Sequence, residues 1–224
     1  MLCFWVNRGF RIEGFRSAKN TSIFGIETMG LDSIPASLRS KYFFEERGHA
    51  SAILTTDFPE EFADICDCLT AFVLRRSEIL TPGGGKSPIS LTIDRFLKDR
   101  GWKPKSFDIT IGIDGNPIPV PTHKIDNFKN RVGLEVEWNN KTEFYDRDLN
   151  NFRLLHELRV LSVGVMITRL SELQSLFDRL GKGESYGPST THWNKLIPKV
   201  DGGGAGGCPL LLVGMGLACY DESS

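Results

Sequence analysis

The chain has 224 residues, 40% of them hydrophobic and 25% charged, which suits one well-packed domain in water and excludes a disordered or fibrous chain. No run approaches the roughly 18 apolar residues of a membrane helix; the best, Pro209 to Cys219, is broken by Gly214 and Gly216. A formal charge of −1 gives the molecule no bulk attraction for a polyanion. The segment from Lys86 to Arg131 differs, with nine Lys or Arg against five Asp. Met1 to Arg8 places aromatics before its first basic residue and does not read as a secretory signal, and five irregularly spaced cysteines suit reduced thiols. A cytoplasmic protein with no membrane attachment is expected.

In chain order, residues 1–40 mix Gly, Ser and isolated aromatics without a sustained period and are expected to form an N-terminal extension, ahead of a single domain over 41–224. Tyr42 to Thr55 reads as extended chain. Pro59-Glu60-Glu61 then offers a first-turn proline and two carboxylates, predicting a helix from Pro59 to Arg75 with Phe62, Ile65, Cys66, Leu69, Phe72 and Val73 as its buried stripe. A second helix is expected over Ser90–Arg100. Phe107 to Ile113 alternates like a strand and ends at Asp114-Gly115-Asn116-Pro117. Further extended chain reaches Asp126, a strand follows over Val132–Trp138, and a helix over Arg147–Val160. Leu161–Thr168 reads as a strand, Ser171–Leu180 as a helix and Pro209–Ala218 as the last strand. The class is α/β, a mixed β-sheet flanked by helices.

The chemistry concentrates between residues 124 and 138. If Asn130-Arg131 forms a two-residue hairpin turn, where Asn tolerates positive φ, Lys129 opposes Val132, Phe128 opposes Gly133, Asp126 opposes Glu135 and Lys124 opposes Glu137. Opposed residues of an antiparallel pair project to one side about 4.5–5.5 Å apart, and residues two apart share a face. Asp126, Glu135 and Glu137 therefore converge, while Val132, Leu134, Val136 and Trp138 form the opposite, apolar face. Three carboxylates side by side repel one another unless a cation sits among them; Mg²⁺ takes one or two carboxylates plus waters and phosphate, which is the chemistry of phosphodiester hydrolysis. Asp126 and Glu135 would be ligands, and Glu137 would accept a proton from water or hold a second metal. Charged residues on the outer face of a half-exposed strand, neutralised by Lys124 and Arg131, are the simpler structural alternative.

The stretch Ile125-Asp126-Asn127-Phe128-Lys129-Asn130-Arg131-Val132-Gly133-Leu134-Glu135-Val136-Glu137-Trp138 resembles the catalytic core of the BglII/BstYI group of type II restriction endonucleases, in the PD-(D/E)xK nuclease superfamily. Arg47–Leu54, Phe96–Trp102, Asp146–Leu149, Val163–Val165 and Pro209–Gly214 also fit the group in order, so the resemblance covers roughly residues 42 to 216. It implies a restriction-endonuclease-like core with Asp126, Glu135 and the Val136 carbonyl as Mg²⁺ ligands. The superfamily usually carries Lys at the third catalytic position and near members carry Gln; this chain has Glu137, whose role as base or metal ligand stays open. By the same resemblance Ser189, Thr190, Thr191 and His192 occupy the region that reads bases, and Lys86 lies where a phosphate contact is made. Asn139, Asn140 and Lys141 leave the catalytic strand with groups suited to phosphate or base edges.

Two motifs are decoys. Gly83-Gly84-Gly85-Lys86-Ser87 ends like a phosphate-binding loop, but Leu80 stands where its first glycine belongs. Asp146, Asp148, Asn150 and Glu157 match calcium-loop positions, yet Asn151 replaces the required glycine and the segment has helical period. Cys66 is expected to pack and Cys68 to be incidental; His49, His123 and His156 are given structural or surface roles. The expected activity is Mg²⁺-dependent cleavage of both strands of a short palindromic site in double-stranded DNA by a homodimer, by family analogy GATC-centred with a 5′ overhang. An inactive DNA-binding homologue and a repair nuclease of the same fold are the alternatives.

Overall fold

The computed structural model describes residues 30–82 and 85–223. In these, α1 (Ala36–Lys41) leads into β1 (Tyr42–Arg47), followed by α2 (Ala50–Asp57), α3 (Pro59–Ala71), β2 (Leu74–Arg75), α4 (Arg76–Leu80), α5 (Pro88–Asp99), β3 (Lys103–Lys105), β4 (Ile109–Ile113) and β5 (Asn116–Val120). Then come β6 (Ile125–Lys129), β7 (Val132–Glu137), α6 (Glu143–Glu157), β8 (Val163–Arg169), α7 (Leu173–Arg179), α8 (Trp193–Asp201), β9 (Leu210–Met215) and β10 (Tyr220–Asp221). No helix among the described residues is long and apolar enough to cross a membrane.

Six strands form one mixed sheet in the order β1-β9-β8-β7-β6-β3. The three at its centre are parallel, β9 to β8 to β7, and antiparallel strands flank them. Helices cover both faces, so β7, β8 and β9 are buried along their whole length. On one side Val132, Leu134 and Val136 of β7 and Trp138 just after it join Ile65 and Leu69 of α3, Ile93 and Leu97 of α5 and Phe177 of α7 in the larger core. On the other, Leu149, Phe152 and Leu155 of α6 and Leu196 and Val200 of α8 pack with Met166, Leu210 and Leu212. Gly133 and Gly164 are paired neighbours in β7 and β8, and Phe152 lies over both.

The β6–β7 hairpin has the expected register: Lys129 pairs with Val132, Phe128 with Gly133 and Asn127 with Leu134. Asn130 (φ 43°) and Arg131 (φ 70°) both lie in the left-handed region, which gives the turn a twist that matches its strands. Lys129 fastens the hairpin to α3 through a 2.8 Å bond to Asp64 Oδ2.

The structure departs from the sequence expectations in identifiable places. Residues 1–29 of the expected N-terminal extension lie outside the described residues, but Leu31, Ile34 and Leu38 are buried in the larger core, so the packed chain begins before Tyr42. Extended chain covers only β1; Ala50–Asp57 is helical, entered through Gly48 (φ 63°) and His49 (φ 57°) in the left-handed region. The helix expected over 59–75 ends at Ala71, and the one expected to begin at Arg147 starts at Glu143. Cys68 is the buried cysteine of its pair, and Cys66 is only partly covered. The strand at Ile109–Ile113 does not join the main sheet but forms a separate ribbon with β5. At the opposite margin of the sheet from β1, β3 is the short exposed strand Lys103-Pro104-Lys105.

Candidate active site

The helices α6 and α8 pack over the second face of the sheet, so that face of β7 is not half-exposed. Glu135 and Glu137 are only 2% and 3% exposed. They share that face with Gly133 and look toward α6, which adds a fourth acid, Asp148, at 1% exposure. Asp126, at the start of β6, is partly exposed and its backbone N–H donates to Glu135 Oε1 at 3.2 Å. Burial pushes the Glu135 carboxyl well above the usual carboxylate range, and the charges of Asp148, Asp126 and Glu137 push the same way. Burial, with Asp148 beside it, drives Glu137 up to about 9, against Asn140 and Arg147, which favour its ionised form. Arg147 is the nearest compensating cation, with Nε 2.8 Å from Asp148 Oδ1 and a terminal nitrogen 3.7 Å from Glu137 Oε1. Asp148 Oδ2 is buried without a hydrogen-bond donor.

Lys86 enters from the residue before the α5 N-cap. Its Nζ lies 2.6 Å from Asp126 Oδ2 and 2.7 Å from Asp94 Oδ2. Burial alone would lower its pKa, but hydrogen bonds to the two carboxylates hold it above its ordinary value. Asp94 is held in turn by Asn127 Nδ2 at 2.8 Å. With Asp126 engaged in this way, no three of the His, Cys, Asp and Glu side chains among the described residues form a ready cation cage. The donor set nonetheless fits a hard divalent ion: the carboxylate oxygens of Glu135, Glu137 and Asp148 are buried together, and one of them, Asp148 Oδ2, has no hydrogen-bond partner.

The end of β7 is tied to the region expected to read bases. Asn140 Nδ2 donates to Glu137 Oε2 at 2.8 Å, its N–H donates to Thr191 Oγ1 at 3.0 Å, and Thr191 N–H returns to the Asn140 carbonyl at 2.9 Å. Lys141 and Thr190 form an isolated antiparallel bridge. Arg169, 1% exposed at the end of β8, donates to the Tyr186 carbonyl and Thr190 Oγ1 at 2.9 and 3.1 Å; burial pushes its guanidinium down to about 10. Thr191 is fully buried, Thr190 is half-buried, and Ser189 is exposed. His192 stands at the N-cap position of α8 without a side-chain capping bond, and its Nδ1 lies 3.0 Å from Ser171 Oγ. Asn139 adopts φ 57° and, with Asn140, Lys86 and Lys182, lines a cavity of about 550 Å³. Val136 is buried and its strand position pairs with Ile167 of β8.

Asp148, Asp94 and Arg169 were not singled out from sequence as site residues. Asp148 had a signal: it shares the helical face of Tyr145, Leu149, Phe152 and Leu155, where an acid has no solvent. Asp94 and Arg169 are placed by contacts far along the chain and had none.

The buried carboxylates predict an inverted pH dependence. A carboxyl whose folded pKa is raised contributes full stability below its unfolded value, and that stability is lost as pH rises through the folded value. For Glu137 the window runs from 4.5 to about 9, and Glu135 acts in the same direction. His123 and His192, pushed down by burial, oppose this only near their ordinary range. In chelator-treated protein the melting temperature should therefore fall between about pH 7 and 9, and added Ca²⁺ should restore it at the alkaline end. A melting temperature flat across this window would mean the acids are not buried together.

A mixed sheet of six strands flanked by helices on both faces is consistent with a restriction-endonuclease-like fold. The family model described as "Restriction endonuclease BglII/BglIII" matches residues 42–215, and the chain belongs to this family. It is a restriction endonuclease, a hydrolase whose substrate is DNA, and the family normally uses a divalent metal. No curated protein matches the chain.

Proposed function

We propose that this protein is a Mg²⁺-dependent type II enzyme that cuts both strands of a short palindromic site as a homodimer in the cytoplasm, the activity residing in the single domain of residues 41–224 together with the preceding residues 31–40 that pack into its core. The observation that carries this reading is the set of buried, under-compensated acids on the β6–β7 hairpin and α6. Asp126, Glu135 and the Val136 carbonyl are the proposed ligands. Bound Mg²⁺ would supply polarisation of the scissile phosphate and a lowered pKa for water. Glu137, in the ionised form that a bound cation would favour, would accept the proton of the attacking water, and Asn140 and Arg147 hold its carboxylate in place. Lys86, Asn139, Asn140 and Lys141 meet the DNA at the catalytic end of the sheet. Ser189, Thr190, Thr191 and His192 form the base-reading region, with Ser189 the most accessible of them and Thr191 acting through its clasp on Asn140. A two-fold DNA site cut on both strands matches two identical active sites on the same axis. A GATC-centred site with a 5′ overhang is the family-based expectation.

Incubating purified protein with phage DNA and Mg²⁺ and sequencing the ends tests this reading. Discrete fragments with one common terminal sequence are expected. Binding without cutting would make the protein an inactive homologue, and structure-dependent nicking would make it a repair nuclease.

A further inference from the structure

The Lys86 ammonium sits between two carboxylates from different elements, Asp126 of the hairpin and Asp94 of α5. The Asp126 oxygen that receives it is therefore not free for a metal, and two cations a few ångströms apart in a half-buried setting repel. Asp94 does not depend on Asp126 for its position, because Asn127 holds its other oxygen. The ammonium thus has a second fixed partner to fall back on. Its tether is a flexible four-carbon stem, so the exchange needs only side-chain rotation.

We propose that Lys86 is a tethered competitor for the metal site: it neutralises Asp126 while no divalent ion is bound, withdraws to Asp94 when one arrives, and thereby sets the site's metal affinity. This rests on Asp126 and Glu135 being metal ligands, as proposed above. Lys86 also lines the cavity bordered by Asn139 and Asn140. A DNA phosphate there gives the ammonium a third partner, so DNA and metal reinforce each other's binding through this one side chain.

Terbium luminescence sensitised by tryptophan measures this without any cleavage, with Trp138 directly after Glu137 in the chain. Lys86→Met should bind Tb³⁺ roughly two- to fivefold more tightly than wild type, the scale of a half-exposed ion pair, and Lys86→Arg should not. Asp94→Asn should weaken Tb³⁺ binding in wild type, because Lys86 loses its alternative partner, and should have no effect in Lys86→Met. Unchanged or weaker binding by a Lys86→Met protein that melts like wild type would overturn the proposal. So would an equal effect of Asp94→Asn in both backgrounds, which would make Asp94 a ligand in its own right. If Glu135→Gln binds Tb³⁺ like wild type, the metal reading itself fails; if Glu135→Gln loses the ion while Lys86→Met is unchanged, only the competitor role falls.

Discussion

Glu135→Gln should abolish DNA cleavage, by about 10³-fold or more given what a metal contributes at a phosphoryl centre, and should at the same time make the metal-free protein more stable. The two effects share one cause. Glu135 is 2% exposed and pressed by three other carboxylates, so its ionised form is tolerable only with a cation present. An amide of nearly equal volume keeps the packing and the acceptor for the Asp126 N–H but removes the charge. The stability gain should widen as pH rises, because on folding only the wild type must then either take up a proton that the unfolded chain has lost or bury an anion. Single-turnover cleavage alongside thermal melts at pH 6 and pH 9, with duplex binding measured in Ca²⁺, checks both halves. Loss of activity together with loss of stability would mean that Glu135 is a structural group.

Gly164→Ala should cost about 1–3 kcal/mol of stability, the usual penalty of an added methyl in a filled core. A Cβ there would stand 2.6 Å from Phe152 Cδ2 and 2.9 Å from Leu210 Cδ2, and neither side chain has solvent to move into. Phe152 lies one helical turn beyond Asp148 on α6, so pushing it off the sheet also moves Asp148 and Arg147 away from Glu137. Cleavage should fall with stability, and adding Phe152→Leu should recover part of both. Urea unfolding with single-turnover rates would show this. A Gly164→Ala protein with wild-type midpoint and rate would mean that the helix does not depend on the glycine pair for its seat.

The hairpin was legible because everything that fixes it is local. Asn130-Arg131 selects the turn, the period of two assigns Glu135 and Glu137 to one face, and a one-residue slip would have turned them to the side that Leu134 and Val136 now occupy. What sequence could not supply was the depth of that face. An alternating acid–apolar strand looks half-solvated until α6 closes over it, and the seat of α6 depends on Gly133 and Gly164, residues that give no periodic signal. Asp148 shows the same limit from the other side: its spacing matched a surface calcium loop, whereas the apolar residues sharing its face put it in the interior. The helix at Ala50–Asp57 was hidden for a different reason. It carries no apolar stripe of its own and begins at Gly48-His49, where no usual capping side chain marks an N-terminus. Residues 31–41 are too short a run to show a period, although three of their apolar side chains are buried.

The sheet stops at Lys103-Pro104-Lys105. Proline withholds one ladder donor, and two ammonium groups would have to shed water if another strand came alongside. Fibril-like growth is therefore discouraged on the margin next to the β6–β7 hairpin, and two copies of this chain would have to meet through helices or loops there, not by fusing their sheets.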